Sequence, residues 1–172
     1  PPYFAMRERV RDGTIGTVVQ VFAQKSYPYH GERPQDESVD GGLMLQVGVH
    51  AFRFVEHVAG VRIADVSAME TGLGNPGRGG LRMAAAMALR LENGGVGSVI
   101  CNYLNPKGFG IWGNESLRIF GTLGFIEAVD AGTRTRLVVG DRDLGPLRPE
   151  PEPAPYLDRV LAEIQGDGVM PL

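Results

Sequence analysis

Residues 41–60 read GGLMLQVGVHAFRFVEHVAG, and four of their side chains could do chemistry. At about 100° per residue, the angle an α-helix imposes, Gln46, His50, Arg53 and His57 recur at intervals of 4, 3 and 4 and fall in one narrow stripe. An imidazole exchanges protons near neutral pH, a carboxamide orients a hydroxyl, and a guanidinium grips a carboxylate. Leu43, Met44, Leu45, Val47, Val49, Ala51, Phe52, Phe54, Val55, Val58 and Ala59 cover most of the remaining circumference. Such a helix packs against protein on most sides. The stripe alone meets water, substrate or a partner, either as a solvated face or as a site. Asp40 stands where an N-cap belongs, Gly41 and Gly42 let backbone come close at the helix start, and Gly60 provides a stop.

The elements that must position this helix follow from period and punctuation. Residues 4–12 have helical spacing, and residues 17–24 are β-branched and alternating, so they form a strand. A long polar loop, SYPYHGERPQDESVDGG, carries Tyr27, Tyr29, His30 and Arg33. A loop of that length inside a compact domain is functional or mobile. After the histidine helix come a strand over 62–70 and the glycine-rich loop TGLGNPGRGG. Residues 83–91 and 95–103 flank Glu92-Asn93-Gly94, a hairpin signal. Residues 117–121 and 124–128 repeat the pattern around Thr122-Leu123, and residues 134–139 add a short strand. Residues 145–155 form a proline-rich surface arm, and 155–165 an amphipathic helix with Leu157, Val160, Leu161 and Ile164 on one face. The sum is an α+β domain with an open, predominantly antiparallel mixed sheet and helices packed on one face. The other face requires cover from a second copy of the chain or another domain.

Composition narrows the function. The chain has 172 residues, 43% of them hydrophobic, and a net charge of -3, which suits one domain. Interspersed charge without a basic stripe excludes nucleic acid as the expected partner. Apolar runs fall far short of the roughly 20 residues a bilayer requires, and residues 1–20 lack signal-peptide order, so a cytoplasmic chain is expected. Cys101 stands alone, leaving no disulfide within the chain and no thiolate cluster; it reads as a small buried side chain or a nucleophile. Gly72, Gly74 and Gly77 match a dinucleotide fingerprint in spacing, but strand-like alternation follows where a helix should begin, so a mobile loop is expected. His30, His50 and His57 have no acidic neighbours in a ligand pattern, and no metal is expected. Glu115 and Ser116, beside Trp112, read as a loop or strand edge.

The motif GG-x-x-L-x-x-G-V-H at 41–50 resembles the C-terminal domain of the Gfo/Idh/MocA (glucose-fructose oxidoreductase / inositol dehydrogenase) family. RVRDGTIGTVVQV resembles that family's helix and first strand, MALRLENGGVGSV its hairpin over an Asn-Gly turn, and LRIFGTLGFIEA its paired strands. Together these cover most of residues 7–128. The resemblance implies a glyceraldehyde-3-phosphate dehydrogenase-like C-terminal sheet domain, the substrate-binding and oligomerisation part of a two-domain parent. The parent's N-terminal Rossmann domain would bind NAD or NADP and carry an E-K-P lysine; neither its glycine motif nor E-K-P occurs here, and the isolated piece is expected to be inactive. In the family a D-x-x-x-H helix supplies a histidine that exchanges a proton with the substrate hydroxyl. His50 falls on that position, but Gln46 replaces the acidic residue one turn earlier, and Arg53 stands where another Asp is frequent. By position, Arg53 would lower the His50 pKa or hold a carboxylate. Lys25, Tyr27 and Tyr29 follow the first strand, where relatives line the substrate pocket or where a solvated loop would lie. The implied substrate is a sugar, cyclitol or related polyol, and the implied assembly a homo-dimer or tetramer. A non-catalytic dimerisation or ligand-binding scaffold and an NAD-dependent glycosidase are the alternatives.

Overall fold

The computed structural model describes residues 2–148 and 156–166. Helix α1 (Pro2–Arg11) leads into strand β1 (Val18–Ser26), and α2 (Val49–Arg53) lies at the middle of a continuous helix over residues 42–58. Then follow β2 (Ile63–Thr71), β3 (Ala84–Leu91), β4 (Val96–Asn102), β5 (Asn114–Gly121), β6 (Gly124–Val129), β7 (Arg134–Val139), β8 (Arg142–Gly145) and α3 (Tyr156–Gln165). The eight strands form one sheet in the order β2-β3-β4-β1-β5-β6-β7-β8. Among the described residues only β1 and β4 pair parallel; every other strand pair is antiparallel. The chain thus enters at the sheet's centre, crosses over through the histidine helix and returns along hairpins, as the Asn-Gly turn between β3 and β4 predicts.

Alternation fixes the two faces. Val21 and Ala23 on β1, Val99 and Cys101 on β4, Met87 and Leu89 on β3, and Leu117 and Ile119 on β5 all point to one side and are buried. Met6 of α1 and Leu43, Val47, Ala51 and Val55 of the histidine helix join the same core. Each Val, Leu, Ile or Met side chain among them contributes roughly 1.5–3 kcal/mol when removed from water. Helix α1 and the histidine helix lie on that side. The opposite side carries Phe22, Ser98, Ile100, Arg118, Phe120 and Phe125 with no described layer over it.

Three features depart from the sequence reading. The histidine helix is not a uniform α-helix: Met44–Gly48 and Phe54–Val58 are π-helical turns. Their i→i+5 bonds underwind the helix. Its wet side is also broader than the four-residue stripe and includes Leu45 at 67% and Val49 at 47% exposure. Asp40 lies one residue outside the N-cap position: its carboxylate accepts from the Gly42 N–H at 2.9 Å, and the Gly41 carbonyl accepts the first helical bond from Leu45. The glycine-rich loop is not loose. Asn75 donates to Gln35 Oε1 at 2.8 Å and Gly80 N–H to the Gln35 carbonyl at 2.9 Å. A Cβ at Gly79 would meet Gln35 Cβ at 2.2 Å, so the glycines there admit a neighbouring side chain. Strand β8 is too short and charged to stand out in the sequence. The α3 helix forms where expected, with Leu157, Leu161 and Ile164 facing solvent; residues 149–155 of the proline-rich arm lie outside the described residues.

Candidate active site

Four elements meet where β1 ends. Lys25 occupies the inward side of β1, continuing the series Val21, Ala23, Lys25, and is buried. An ammonium there requires a counter-charge. Glu115 supplies it, because antiparallel register places Glu115 of β5 directly opposite Lys25, and the two form an ion pair. The Lys25 Nζ also lies over the Tyr27 ring, 4.7 Å from its centre. Tyr27 also meets His50 edge to face, with centroids 6.0 Å apart and planes at 77°.

His50 sits at the open rim of this cluster. Partial burial lowers its pKa from the usual imidazole value, and the Lys25 ammonium lowers it further, with the Glu115 carboxylate opposing. A neutral ring able to accept a proton results. The expected influence of Arg53 on His50 is therefore corrected: the cation that acts on His50 is Lys25, from the sheet, whereas Arg53 acts on His57. His57 leaves the stripe and bonds Arg7 of α1 at 2.9 Å; burial, then Arg7, Arg53 and Arg11, hold its pKa down. Gln46 does not approach His50 through a described hydrogen bond. Its carboxamide donates to the Asp40 carbonyl at 2.8 Å and ties down the start of the helix. Arg53 stays exposed on the same side.

Tyr29 accepts from the Gln35 carboxamide at 3.2 Å, away from the Lys25 cluster. Glu115, read from sequence as a strand edge, belongs to the site itself. The signal was present: Glu115, Leu117 and Ile119 alternate as Val21, Ala23 and Lys25 do, which turns both charged residues inward. Trp112 was also missed. Its ring is stacked on His30 at 4.4 Å and lies 6.2 Å from Tyr27. Cys101 is fully buried, and burial, with Glu70 nearby, pushes its thiol up to about 11, which removes it as a nucleophile at neutral pH. Among the described residues, no three His, Cys, Asp or Glu side chains gather as a metal site, and no helix is long and apolar enough to cross a membrane.

Residues 3–127 match the GFO/IDH/MocA C-terminal domain, and the chain belongs to this family. Its structure is similar to that of a Thermotoga maritima protein described as an oxidoreductase, with a TM-score of 0.83 and 31% identity, over 97% of this chain and 51% of that one. It shares its fold with aldose-aldose oxidoreductase from Caulobacter crescentus complexed with glycerol (TM-score 0.79, 19% identity, 95% of this chain, 50% of that one). Levoglucosan dehydrogenase in complex with NADH and levoglucosan also shares the fold (TM-score 0.69, 16% identity, 86% and 43%). The chain spans about half the length of these solved structures. No curated protein matches it.

Proposed function

We propose that this chain is the substrate-binding and oligomerising domain of an NAD(P)-dependent oxidoreductase acting on a sugar, cyclitol or related polyol, with His50 as the proton acceptor. The observation that carries this reading is the placement of His50: partly buried, held neutral beside Lys25, and open on the side away from the sheet. When bound, NAD or NADP supplies the hydride acceptor for the alcohol carbon. The residues present suit a floor under that group and not its main binding site. Gln35 fills the glycine loop that could otherwise cradle a phosphate, while exposed Leu45 and Val49 beside His50 offer apolar surface on which a nucleotide-binding domain can close.

His50 takes the hydroxyl proton as hydride leaves, since a group of near-neutral pKa must accept it. Tyr27 fixes the plane of the imidazole, and the Lys25–Glu115 pair keeps the floor neutral overall while disfavouring protonated His50 before substrate arrives. The carboxylate that the family carries one turn before the histidine has no counterpart at Gln46; Glu115 brings one from the sheet instead. Gln46 is a positioning residue for the helix, and Arg53, exposed on the same side, is a contact for an acidic substituent.

The uncovered sheet face, with Phe22, Phe120 and Phe125, supports pairing with a second copy as a homo-dimer or tetramer. The test is a screen of the full-length protein against sugars and polyols with both cofactors. NAD(P)-linked oxidation that His50→Ala abolishes supports the reading; undiminished turnover in that variant removes His50 from the mechanism. The 172-residue chain alone is expected to show no turnover, and light scattering is expected to report more than a monomer.

A further inference from the structure

The loop between β4 and β5 carries exposed aromatic surface on an unusually well-anchored backbone. Trp112 is 56% exposed, beside exposed Phe109 and Ile111. Beneath it, buried Asn105 donates through Nδ2 to the carbonyls of Ile111 at 2.8 Å and Trp112 at 3.0 Å. The Asn105 N–H donates in turn to the Tyr27 carbonyl at 3.1 Å, so the loop is bound to the segment that holds the catalytic floor. His30 stacks on the indole with planes at 27°. These groups wall a pocket of about 270 Å³ lined by Pro28, Tyr29, His30, Lys107, Ile111 and Trp112. Tyr27 stands between this wall and His50, at 6.2 Å from the indole and 6.0 Å from the imidazole.

We propose that Trp112 is a stacking platform for the apolar face of a ring-closed sugar or cyclitol, and that it makes the site select cyclic substrates over open-chain polyols. This rests on the sugar or polyol reading of the same site. A closed sugar ring displays several C–H groups on one face, and their polarised hydrogens seat on the negative face of an indole. His30 covers one face of the indole, so the sugar ring seats on the other, and its outward hydroxyls reach toward Lys107 at the pocket edge. The volume falls just below the range of drug-sized ligand pockets, about 300–1,000 Å³, which suits one small ring. An open-chain polyol has no preformed flat face and loses the rotation of each C–C bond on lying against the indole. Anchoring the loop through Asn105 pre-orders the platform, so that little of the stacking is spent on ordering the protein.

Trp112 is the chain's only tryptophan, so emission from the 172-residue chain reports on it alone. With the fold checked by circular dichroism, D-glucose and myo-inositol are expected to change that emission saturably, and sorbitol, the open-chain counterpart of glucose, about tenfold more weakly. In the full-length protein, Trp112→Ala is expected to raise KM for ring substrates about tenfold with kcat held, and Trp112→Phe to restore most of the loss. Equal responses to glucose and sorbitol, or no response to either ring compound, overturn the proposal. So does a Trp112→Ala variant that splits an oligomer in light scattering and keeps its ring preference, since the wall is then a subunit contact. Ring-selective emission without alcohol oxidation by the full-length protein sinks the reaction assigned to the site and leaves the platform standing. His50-dependent oxidation without ring preference does the reverse.

Discussion

Replacing Lys25 by methionine tests whether the site is built on a buried charge pair. Lys25 and Glu115 side chains retain only 9% and 18% exposure. Removing one member of a buried pair strands the other charge, at a cost of about 3–5 kcal/mol. Glu115 keeps some access to water, which places the expected loss for Lys25→Met at the low end, about 3 kcal/mol. For a domain of this size that lowers Tm by about 6–12 °C. The double variant Lys25→Met/Glu115→Leu removes both charges and fills similar volume, so it is expected within about 1 kcal/mol of the starting protein. Urea unfolding followed by circular dichroism on all four members of the cycle measures the coupling. A Lys25→Met loss below about 1 kcal/mol, the size of an exposed bridge, would refute the argument that an inward lysine on β1 created the requirement for Glu115.

Asn105→Ala leaves the Ile111 and Trp112 carbonyls without their donor and is expected to cost about 1–3 kcal/mol, read by urea unfolding, with the emission of Trp112 moving toward that of free indole. His57 has its folded-state pKa lowered, so its contribution to stability is complete above the ordinary imidazole value, about 6.5, and is lost as pH falls through the folded value. His57→Gln is accordingly expected to flatten the acid side of the stability–pH curve measured by denaturant titration; an unchanged slope would contradict that sign. Cys101, fully buried with its thiol pushed up to about 11, is expected to resist iodoacetamide at pH near 8 until urea is added. Mass spectrometry of native and unfolded samples checks this.

Much of the architecture was legible because period-2 burial and the Asn93-Gly94 turn leave little choice of register for β3 and β4. The histidine helix was legible for the same reason, through its apolar spacing. Its π-turns were not, since an extra residue per turn leaves no mark in residue type, and neither was the exposure of the apolar Leu45 and Val49. The site was half legible. His50, Lys25 and Tyr27 do come together, but what joins them is long-range: Glu115 lies 90 residues from Lys25 along the chain, and only the β1–β5 register brings it there. Reading β1 and β5 as alternating faces would have turned both charges inward without pairing them. Arg53 and Gln46 share a helix side with His50, yet sharing a side did not predict whom they touch. The side chains of Gln46 and His57 turn to the helix start and to Arg7, leaving His50 to be tuned from the sheet.

The central claim is that His50 accepts the substrate proton. The most direct measurement is kcat for sugar or polyol oxidation by the full-length protein carrying His50→Asn, with NAD(P)H affinity measured alongside. The account predicts a fall of about 10²–10⁴-fold with cofactor affinity unchanged, and a starting protein whose kcat rises with pH to a plateau, its midpoint below the ordinary imidazole value. A variant that turns over within a few-fold of the starting protein, with the same pH profile, would contradict it.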